Sequence, residues 1–399
     1  MGLRILGDYQ RTKISKGLAL LYTNRTLSSV AGSLLALFLP VFWYIHFDLS
    51  LVVVMLLYVW NFGLQMLMVI PGAKLMNKLG IRKSIILSTP FICAFYATLY
   101  FAEINFLWMG MLAYFLLNIY KAMYWIPYHT SFASFSHSGR RGREMALLTL
   151  MSDTIQIFVP LVSSFLIVTF GFNYLFILVL IIQMLSIFPL LTLPAVNESF
   201  TWSVKRTVKE VFDKKNRTTF WAYFGDGMQS MVGSVIWPIF IWLLFDESYQ
   251  SVGFITALVI LVSMVLRLVV GDLTDKYDQN KILRAGTLLY SIGWLFKIFV
   301  VTAFHVFIIS AYHNLAAIIM RTPFDASMYD QSADWGHFMD EYTVVREMIL
   351  NFGRVVALIL MIGLAIYLPI NYTFIIAAVS SLLMNAMLHQ VDYDLEKSE

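Results

Sequence analysis

Long apolar segments recur along the whole chain and alternate with short polar loops. Six lie at about residues 27–44, 51–72, 84–102, 105–130, 144–169 and 173–193, and six more lie at about 218–245, 251–271, 282–303, 304–328, 346–366 and 372–390. Each is long enough to cross the hydrocarbon core of a bilayer as an α-helix, which takes roughly 20 residues. The pattern predicts an all-α integral membrane protein with twelve transmembrane helices in two groups of six.

A polar stretch separates the two groups. It carries six basic residues: Lys205, Arg206, Lys209, Lys214, Lys215 and Arg217. We therefore expect an N-terminal six-helix bundle over residues 1–193, a cytoplasmic linker over 194–217 and a C-terminal six-helix bundle over 218–399. The first residues of the chain are basic, and no small-residue cleavage site follows a short apolar core, so we interpret the first helix as retained and not as a signal peptide.

Composition agrees with a membrane protein and excludes several other classes. Hydrophobic residues make up 59% of the chain and charged residues only 13%, about half the charge of a soluble domain. The single cysteine, Cys93, rules out a disulfide framework. The sequence has no glycine-rich phosphate loop, no Gly-x-Ser-x-Gly motif and no pair of histidines spaced for a metal. We expect neither an enzyme nor a nucleic-acid-binding protein, and no cofactor.

The loop charges predict the orientation. With a cytoplasmic amino terminus, most of the 28 Lys and Arg residues fall in cytoplasmic segments and none in an external loop. The external loops carry only acids, namely Asp48, Glu103, Asp246 and Glu247. This is the distribution that the positive-inside rule requires. We therefore expect both termini to be cytoplasmic, and the compact loops favour a prokaryotic plasma membrane.

Two loops, after the second and the eighth apolar segments, resemble each other. The stretch from Ala73 to Lys83 (AKLMNKLGIRK) and the stretch from Gly271 to Lys281 (GDLTDKYDQNK) lie 198 positions apart and share a leucine and two lysines at matching places. A small residue, an acid and a base before a basic turn resemble the loop that follows helices two and eight in the major facilitator superfamily. An internal repeat at about half the chain length is typical of transporters built from two similar halves.

The resemblance implies a gate at the cytoplasmic ends of the helices. In that family the loop acid braces a helix of the opposite half, which here would place Asp275 near Arg143 and Asn77 near the head of helix eleven. Asn77 replaces the family acid and Ala73 replaces its glycine, so only one of the two latches would carry a charge. The expected gating residues are Asn77, Lys78, Arg82, Lys83, Arg143, Gly271, Asp275, Lys276 and Lys281. The alternative is that both loops are only positive-inside topology signals.

Charged residues inside the predicted helices are the next candidates, because a charge at membrane depth is costly and is usually functional. They are Lys121, Asp153, Asp226, Arg267, Lys297, Arg321 and Arg354. We interpret Arg267 and Lys297 as residues near helix ends whose long side chains reach the membrane interface. The other five are candidate site residues.

Polar stripes on helices four, seven and ten indicate a central binding site, since the resemblance implies that these helices line a cavity. The predicted substrate-binding residues are Asn118, Lys121, Trp125, Tyr223, Ser230, Trp237, His313 and Arg321. Lys121 and Arg321 lie at similar depths and could face each other, and two cations in a low-dielectric cavity favour an anion. The alternative is that each is neutralised in a structural pair, Lys121 by Asp153 or Arg321 by Asp226.

Intramembrane carboxylates also suggest proton coupling. Asp153 on helix five is the first candidate and Asp226 the second, with Arg354 as a cation that could exchange partners with them. A fixed Asp153–Arg354 salt bridge is the alternative. The sequence thus predicts a secondary active transporter that moves a small organic anion or polar solute by alternating access, coupled to protons, in the lipid bilayer and as a monomer. The alternatives are a proton-driven exporter of amphipathic drugs or lipids, and a transport-inactive sensor or scaffold.

Overall fold

The structure, a computed structural model, describes residues 16–135, 141–194, 200–274, 278–334 and 339–387. Within these ranges it describes the backbone alone at 133–134, 141–153, 268–274, 326, 328–334 and 339–340. The described chain is helical throughout and contains no strand. Ten of its helices are long and apolar enough to cross a membrane.

Six helices precede the linker. They are α1 (Lys16–Ala36, continued by Leu39–His46), α2 (Leu51–Leu79), α3 (Ile81–Tyr100), α4 (Phe106–Phe135), α5 (Arg141–Phe170) and α6 (Phe172–Leu185, continued by Ile187–Leu191). The linker contains one helix of eight residues, Val204–Val211, which we call the linker helix. Its first turn is capped by Ser203, whose Oγ accepts a hydrogen bond from the Arg206 amide at 3.2 Å.

Six helices follow the linker. They are α7 (Arg217–Met231, a π-helical turn Val232–Ile236, then Trp237–Leu244), α8 (Tyr249–Thr274), α9 (Gln279–Lys297), α10 (Ala303–Asp334), α11 (Met339–Tyr367) and α12 (Ile370–Thr373, Phe374–Leu382 and Leu383–Met387). The predicted all-α fold with twelve membrane helices in two sets of six is confirmed. Helices α5 and α9 complete the twelve beside the ten clear spans.

Several helices run past the apolar segment that predicted them. Helix α1 begins at Lys16, well before the apolar run, because its polar residues are satisfied inside the bundle. Asn24 is 1% exposed; its Nδ2 donates to the Ser186 carbonyl at 2.8 Å, and its Oδ1 accepts from the Tyr124 hydroxyl at 2.8 Å. Hydropathy alone places the start of such a helix too late, since it counts these residues as polar.

The two ends of the helical bundle differ in charge. We call the end with the linker the basic end, and the end with the α1–α2 and α7–α8 turns the acidic end. At the acidic end, Asp48 and Leu49 adopt positive φ angles of 51° and 61°, and Asp246 and Glu247 adopt 50° and 65°. A positive φ is uncommon for non-glycine residues. The same strained turn therefore recurs at the 198-residue offset of the loop repeat, which supports a common origin for the two halves.

The two halves pack together at the acidic end. The rings of Phe38 and Tyr249 lie 5.6 Å apart, and those of Tyr44 and Trp242 lie 6.4 Å apart. Gly253 lets α8 approach α5 closely, because a Cβ at this glycine would lie 2.6 Å from the Pro160 carbonyl oxygen. Helix α2 also packs against α11. These pairs form contacts between the halves.

Candidate substrate site and basic-end gate

Lys121 lies on α4 and points toward α2. Its ammonium donates a hydrogen bond to Gln65 Oε1 at 3.0 Å. The same ammonium lies 5.6 Å from the centre of the Phe62 ring, one turn away on α2. The amide and the ring face stabilise the cation without neutralising it.

Arg354 approaches the same phenyl ring from the other half of the protein. Its guanidinium carbon lies 5.1 Å from the centre of Phe62. Its Nη1 donates to Asn351 Oδ1, one turn earlier on α11, at 2.9 Å. Lys121 and Arg354 are close enough to interact electrostatically. Two cations, one from each half, thus converge on a single aromatic side chain.

A small cavity of about 20 Å³ lies beside Lys121, between α2, α4 and α11. Its lining comprises Gln65, Val69, Asn118, Lys121, Ala122, Trp125, Ile126 and Glu347. Three of the predicted substrate-binding residues, Asn118, Lys121 and Trp125, therefore line one cavity. Asn118 is held by its own hydrogen bonds, since its Nδ2 donates to the Asn61 and Tyr114 carbonyls at 3.0 and 2.8 Å.

Arg321 pairs with an acid of its own half of the protein. Its Nη1 donates to Asp226 Oδ2 at 2.9 Å, and its Nη2 contacts Asp226 Oδ1, so the two residues form a bidentate ion pair between α10 and α7. Gln229 Nε2 donates to Asp226 Oδ1 at 2.8 Å, and the Tyr290 hydroxyl donates to Gln229 Oε1 at 2.8 Å. A structural pair between Arg321 and Asp226 was the alternative that the sequence left open, and this geometry agrees with it.

The other predicted substrate residues of the second half lie apart from the cavity at Lys121. Tyr223 is fully buried, and its hydroxyl hydrogen-bonds the Tyr342 hydroxyl at 2.7 Å. The Ser230 hydroxyl donates to the Gly227 carbonyl at 2.7 Å. His313 stacks on the Tyr290 ring at a centroid distance of 4.2 Å. These side chains belong to the packing between α7, α9, α10 and α11.

Lys297 does not reach the membrane interface as we expected. Its side chain is only 4% exposed. Its ammonium lies 4.2 Å from the ring of Trp237 and 4.1 Å from that of Trp294. Trp237 directly follows the π-helical turn of α7, which shifts the register of the helix at that point. The Lys297 ammonium is thus surrounded by two indole faces and not by the polar groups of the membrane interface.

Two charged residues join the site without having been predicted. Arg25 on α1 lies 4.7 Å from the centre of the Trp125 ring and 6.0 Å from that of Tyr128. Glu347 on α11 brings a carboxylate to the cavity lining and lies 3.7 Å from the Arg346 guanidinium. Both lie at the edge of a predicted apolar segment, where sequence reasoning attributes charge to the loop and not to the site. Of the predicted proton-coupling residues, Arg354 lies near this carboxylate, Asp226 is paired with Arg321, and the side chain of Asp153 lies outside the described part.

A hydrogen-bonded clamp at the basic end joins α2, the linker and α11. Asn77 at the end of α2 donates from Nδ2 to the Phe200 carbonyl at 2.6 Å and accepts from the Phe200 amide at 2.9 Å. The next residue, Thr201, donates from both its amide and its hydroxyl to Glu341 Oε1, at 2.8 and 2.7 Å. Glu341 lies at the start of α11 and is 1% exposed. Asn77 therefore reaches the head of α11 through the linker.

The remaining predicted gating residues are distributed over both halves. Arg82 Nη2 contacts the Leu191 carbonyl at the end of α6. The Lys281 amide donates to Asp278 Oδ1 at 3.0 Å, which caps the start of α9. Lys78 and Lys83 are exposed at the α2–α3 turn. Asp275 and Lys276 lie outside the described residues, and Arg143 and Gly271 are described by their backbone alone. The predicted Asp275–Arg143 latch thus stays a prediction.

Twelve apolar helices in two repeated halves, with charged residues converging between them, define a multi-pass membrane transporter. The family model described as Major Facilitator Superfamily matches residues 21–225, more than half of the chain. The chain belongs to the major facilitator superfamily and is a secondary transporter.

Solved structures with the same fold agree with this assignment. The chain is similar to the fucose:proton symporter FucP of E. coli in the outward conformation (14% identity, 94% of this chain and 98% of that chain covered, TM-score 0.65). It is also similar to a POT family transporter in complex with 5-aminolevulinic acid (11%, 94% and 95%, 0.71) and to one in complex with a thioalcohol-conjugated peptide (11%, 96% and 97%, 0.73). At these identities the likeness extends to the fold. No curated protein matches the sequence.

Proposed function

We propose that the protein transports a small organic anion, coupled to protons, and that the anion binds between Lys121 and Arg354. The observation that carries this proposal is the approach of both cations to the Phe62 ring from opposite halves. Two positive charges at membrane depth repel each other and lack the solvation of bulk water. A carboxylate or phosphate group would neutralise them, with the guanidinium donating two parallel hydrogen bonds and the ammonium acting as a point charge.

Anion binding at this place also offers a route to alternating access. Lys121 belongs to the first six helices and Arg354 to the second six. An anion that contacts both would draw α4 and α11 together, whereas the empty site holds two cations that the single carboxylate of Glu347 only partly neutralises. Differential binding of this kind is what a ligand needs in order to shift a conformational equilibrium. In transporters with repeated halves, the substrate site lies at the interface of the repeats.

Proton coupling would use a carboxylate close to these cations. Glu347 lies at the cavity, and Asp226 is held by Arg321 across α7 and α10. Protonation of either would release an arginine for a new partner, which is a simple way to link proton binding to a change of contacts. Asp153 remains the candidate from the first half. One structural neighbour is described as a fucose:proton symporter, which agrees with proton coupling but concerns that protein.

The wider organisation follows from the same proposal. The first bundle covers residues 1–193, the linker 194–217 and the second bundle 218–399. The basic end faces the cytoplasm because it carries the Lys and Arg residues of the loops. The protein works as a monomer in a prokaryotic plasma membrane, with the two bundles rocking around the site at Lys121.

Ligand-induced stabilisation of the purified protein tests the site. Anionic, neutral and cationic metabolites would be screened against the parent, Lys121→Gln, Arg354→Gln and the exposed control Arg267→Gln. A ligand at about 100 times its dissociation constant adds roughly 2.7 kcal/mol of stability. Anions should stabilise the parent and the control but neither site variant. Uptake of the best ligand into proteoliposomes, with and without an inward-acid pH gradient, then tests coupling.

Three other results would contradict the proposal and favour a different function or a different binding site. Stabilisation by hydrophobic cations alone, unchanged in Lys121→Gln, would favour an exporter of amphipathic compounds. Binding of an anion without flux under any gradient would favour a sensor or scaffold. Equal stabilisation of the parent and both site variants by anions would place the binding site elsewhere.

A further inference from the structure

The linker helix has a split surface. Thr207 and Val211 are buried, and the helix packs through this side against α11. The neighbouring side carries Val204, Val208 and Phe212, which are 47%, 40% and 65% exposed. These three are spaced by four residues, so they form one apolar row along the helix. In the described structure this row is left uncovered beside a buried face.

The side of the linker helix beyond this row is basic. Lys205 and Lys209 are exposed and also four residues apart, so they form a second row next to the apolar one. Lys214 and Arg217 continue the exposed positive charge toward α7. A helix with an apolar row beside a row of lysines is typical of helices that lie in the plane of a membrane interface.

The apolar row is continuous with an aromatic cluster at the start of α7. The rings of Phe212 and Phe220 lie 5.8 Å apart, and Phe220 stands at the start of α7. Its neighbour Trp221 is 40% exposed, and tryptophans are enriched at membrane–water interfaces. This continuity with an exposed tryptophan favours a position of the linker helix at the level of the headgroups.

We propose that the linker helix binds anionic phospholipid headgroups of the leaflet at the basic end. Val204, Val208 and Phe212 would insert at the boundary between headgroups and acyl chains, while Lys205 and Lys209 contact the phosphates. Basic side chains near an anionic surface add to the apolar contribution, and their effect falls off within a Debye length. The interaction is independent of the transported solute. Since Phe200 and Thr201 tie the linker to α2 and α11, lipid composition would act on the clamp between the halves.

Depth-dependent quenching tests the insertion. The chain has one cysteine, so a Cys93→Ser background allows single labelling. An environment-sensitive fluorophore would be attached at Val208→Cys and, as a matched control on the basic row, at Lys209→Cys. Both proteins would be placed in bilayers of phosphatidylcholine alone or mixed with phosphatidylglycerol, each containing lipids with a nitroxide high on the acyl chain. We expect several-fold stronger quenching at position 208 than at 209, increasing with phosphatidylglycerol.

Two outcomes would overturn the proposal. A water-exposed fluorophore at position 208 in both bilayers would show that the row does not insert. A fluorophore at position 208 that is shielded from an aqueous quencher but is not quenched by the nitroxide lipids in either bilayer would show that another segment of the protein covers it.

Charge reversal tests the headgroup contact separately. The pair Lys205→Glu and Lys209→Glu should lose most of the phosphatidylglycerol that copurifies with the parent and most of its stabilising effect. The pair Lys74→Glu and Arg284→Glu changes the net charge equally at other exposed positions of the basic end and should retain both. Equal losses in the two pairs would assign the lipid effect to net charge and contradict a role of this helix.

Discussion

Asn77 and the backbone of Phe200 form a two-way hydrogen bond, in which the Asn77 amide both donates to and accepts from the same residue. An aspartate at this position, as in the resembling loop of the major facilitator superfamily, would keep the hydrogen-bond acceptor but lose the hydrogen-bond donor. The replacement of the family acid by Asn77 thus has a structural reason, because a side-chain amide can bond both the N–H and the C=O of one backbone residue. It connects the end of α2 to the linker without a charge.

Asn77→Ala removes both of these hydrogen bonds. Each contributes about 0.5–1.5 kcal/mol, so we expect a loss of roughly 1–3 kcal/mol in the free energy of unfolding. Lys78→Ala, at the neighbouring exposed position, should change it by less than about 0.5 kcal/mol. Denaturant unfolding in detergent measures both. Equal stability of the two variants would mean that the clamp contributes nothing.

Glu341 holds the other end of the clamp. Its Oε1 accepts two hydrogen bonds from Thr201, and bonds to a charged acceptor contribute about 1.5–3 kcal/mol. We expect Glu341→Ala to free the linker and to increase trypsin cleavage after Lys205 and Lys209. Glu341→Gln keeps the acceptor oxygen and should show an intermediate rate. The acidic-end variant Glu247→Ala serves as control, and cleavage as slow in Glu341→Ala as in this control would contradict the prediction.

Asp226 and Arg321 should behave as an energetically coupled pair. Arg321→Gln leaves a carboxylate buried without its partner. We expect the free energy of unfolding to fall by about 3 kcal/mol. This is the lower end of the range for buried pairs, because the Arg321 side chain is 35% exposed. The double variant with Asp226→Asn should recover most of this loss. Thermal unfolding of the four proteins of this cycle measures the coupling. Additive effects would show that the pair is not formed in the membrane.

The fold was predictable from the sequence because apolar length and loop charge fix the number and order of the helices. The site was only partly predictable. Lys121 and Asn118 were found because their stripe is polar, whereas Phe62 is an apolar residue in an apolar helix and carried no signal. The partner of Arg321 could not be chosen by depth alone, since depth does not determine which way a long side chain turns. Glu347 was overlooked because it lies at the edge of its apolar segment, where charges are attributed to the loop.

Lys297 offers a test of how its buried charge is accommodated. The two indoles supply about 2 kcal/mol or more in a desolvated setting, against the cost of burying an ammonium. Lys297→Met keeps the length of the side chain without its charge. We therefore expect its free energy of unfolding to lie within about 1 kcal/mol of the parent's. Lys297→Glu places a negative charge against two electron-rich ring faces, so its free energy of unfolding should fall by more than about 3 kcal/mol. Similar thermal stability for Met and Glu would contradict the cation–π arrangement.

Phe62 lies near two like charges, which makes it a sensitive probe of the anion site. The ring face contributes about 0.5–1 kcal/mol to each cation, so Phe62→Leu should destabilise the ligand-free protein by about 1–2 kcal/mol beyond the cost of the packing change. That packing cost is measured by Phe95→Leu, a buried position of the first half without a nearby cation. A saturating anion would neutralise Lys121 and Arg354 and restore part of the loss. The thermal shift produced by the anion should accordingly be larger in Phe62→Leu than in the parent or in Phe95→Leu. If the shift is the same in all three proteins, the anion does not bind between the two cations.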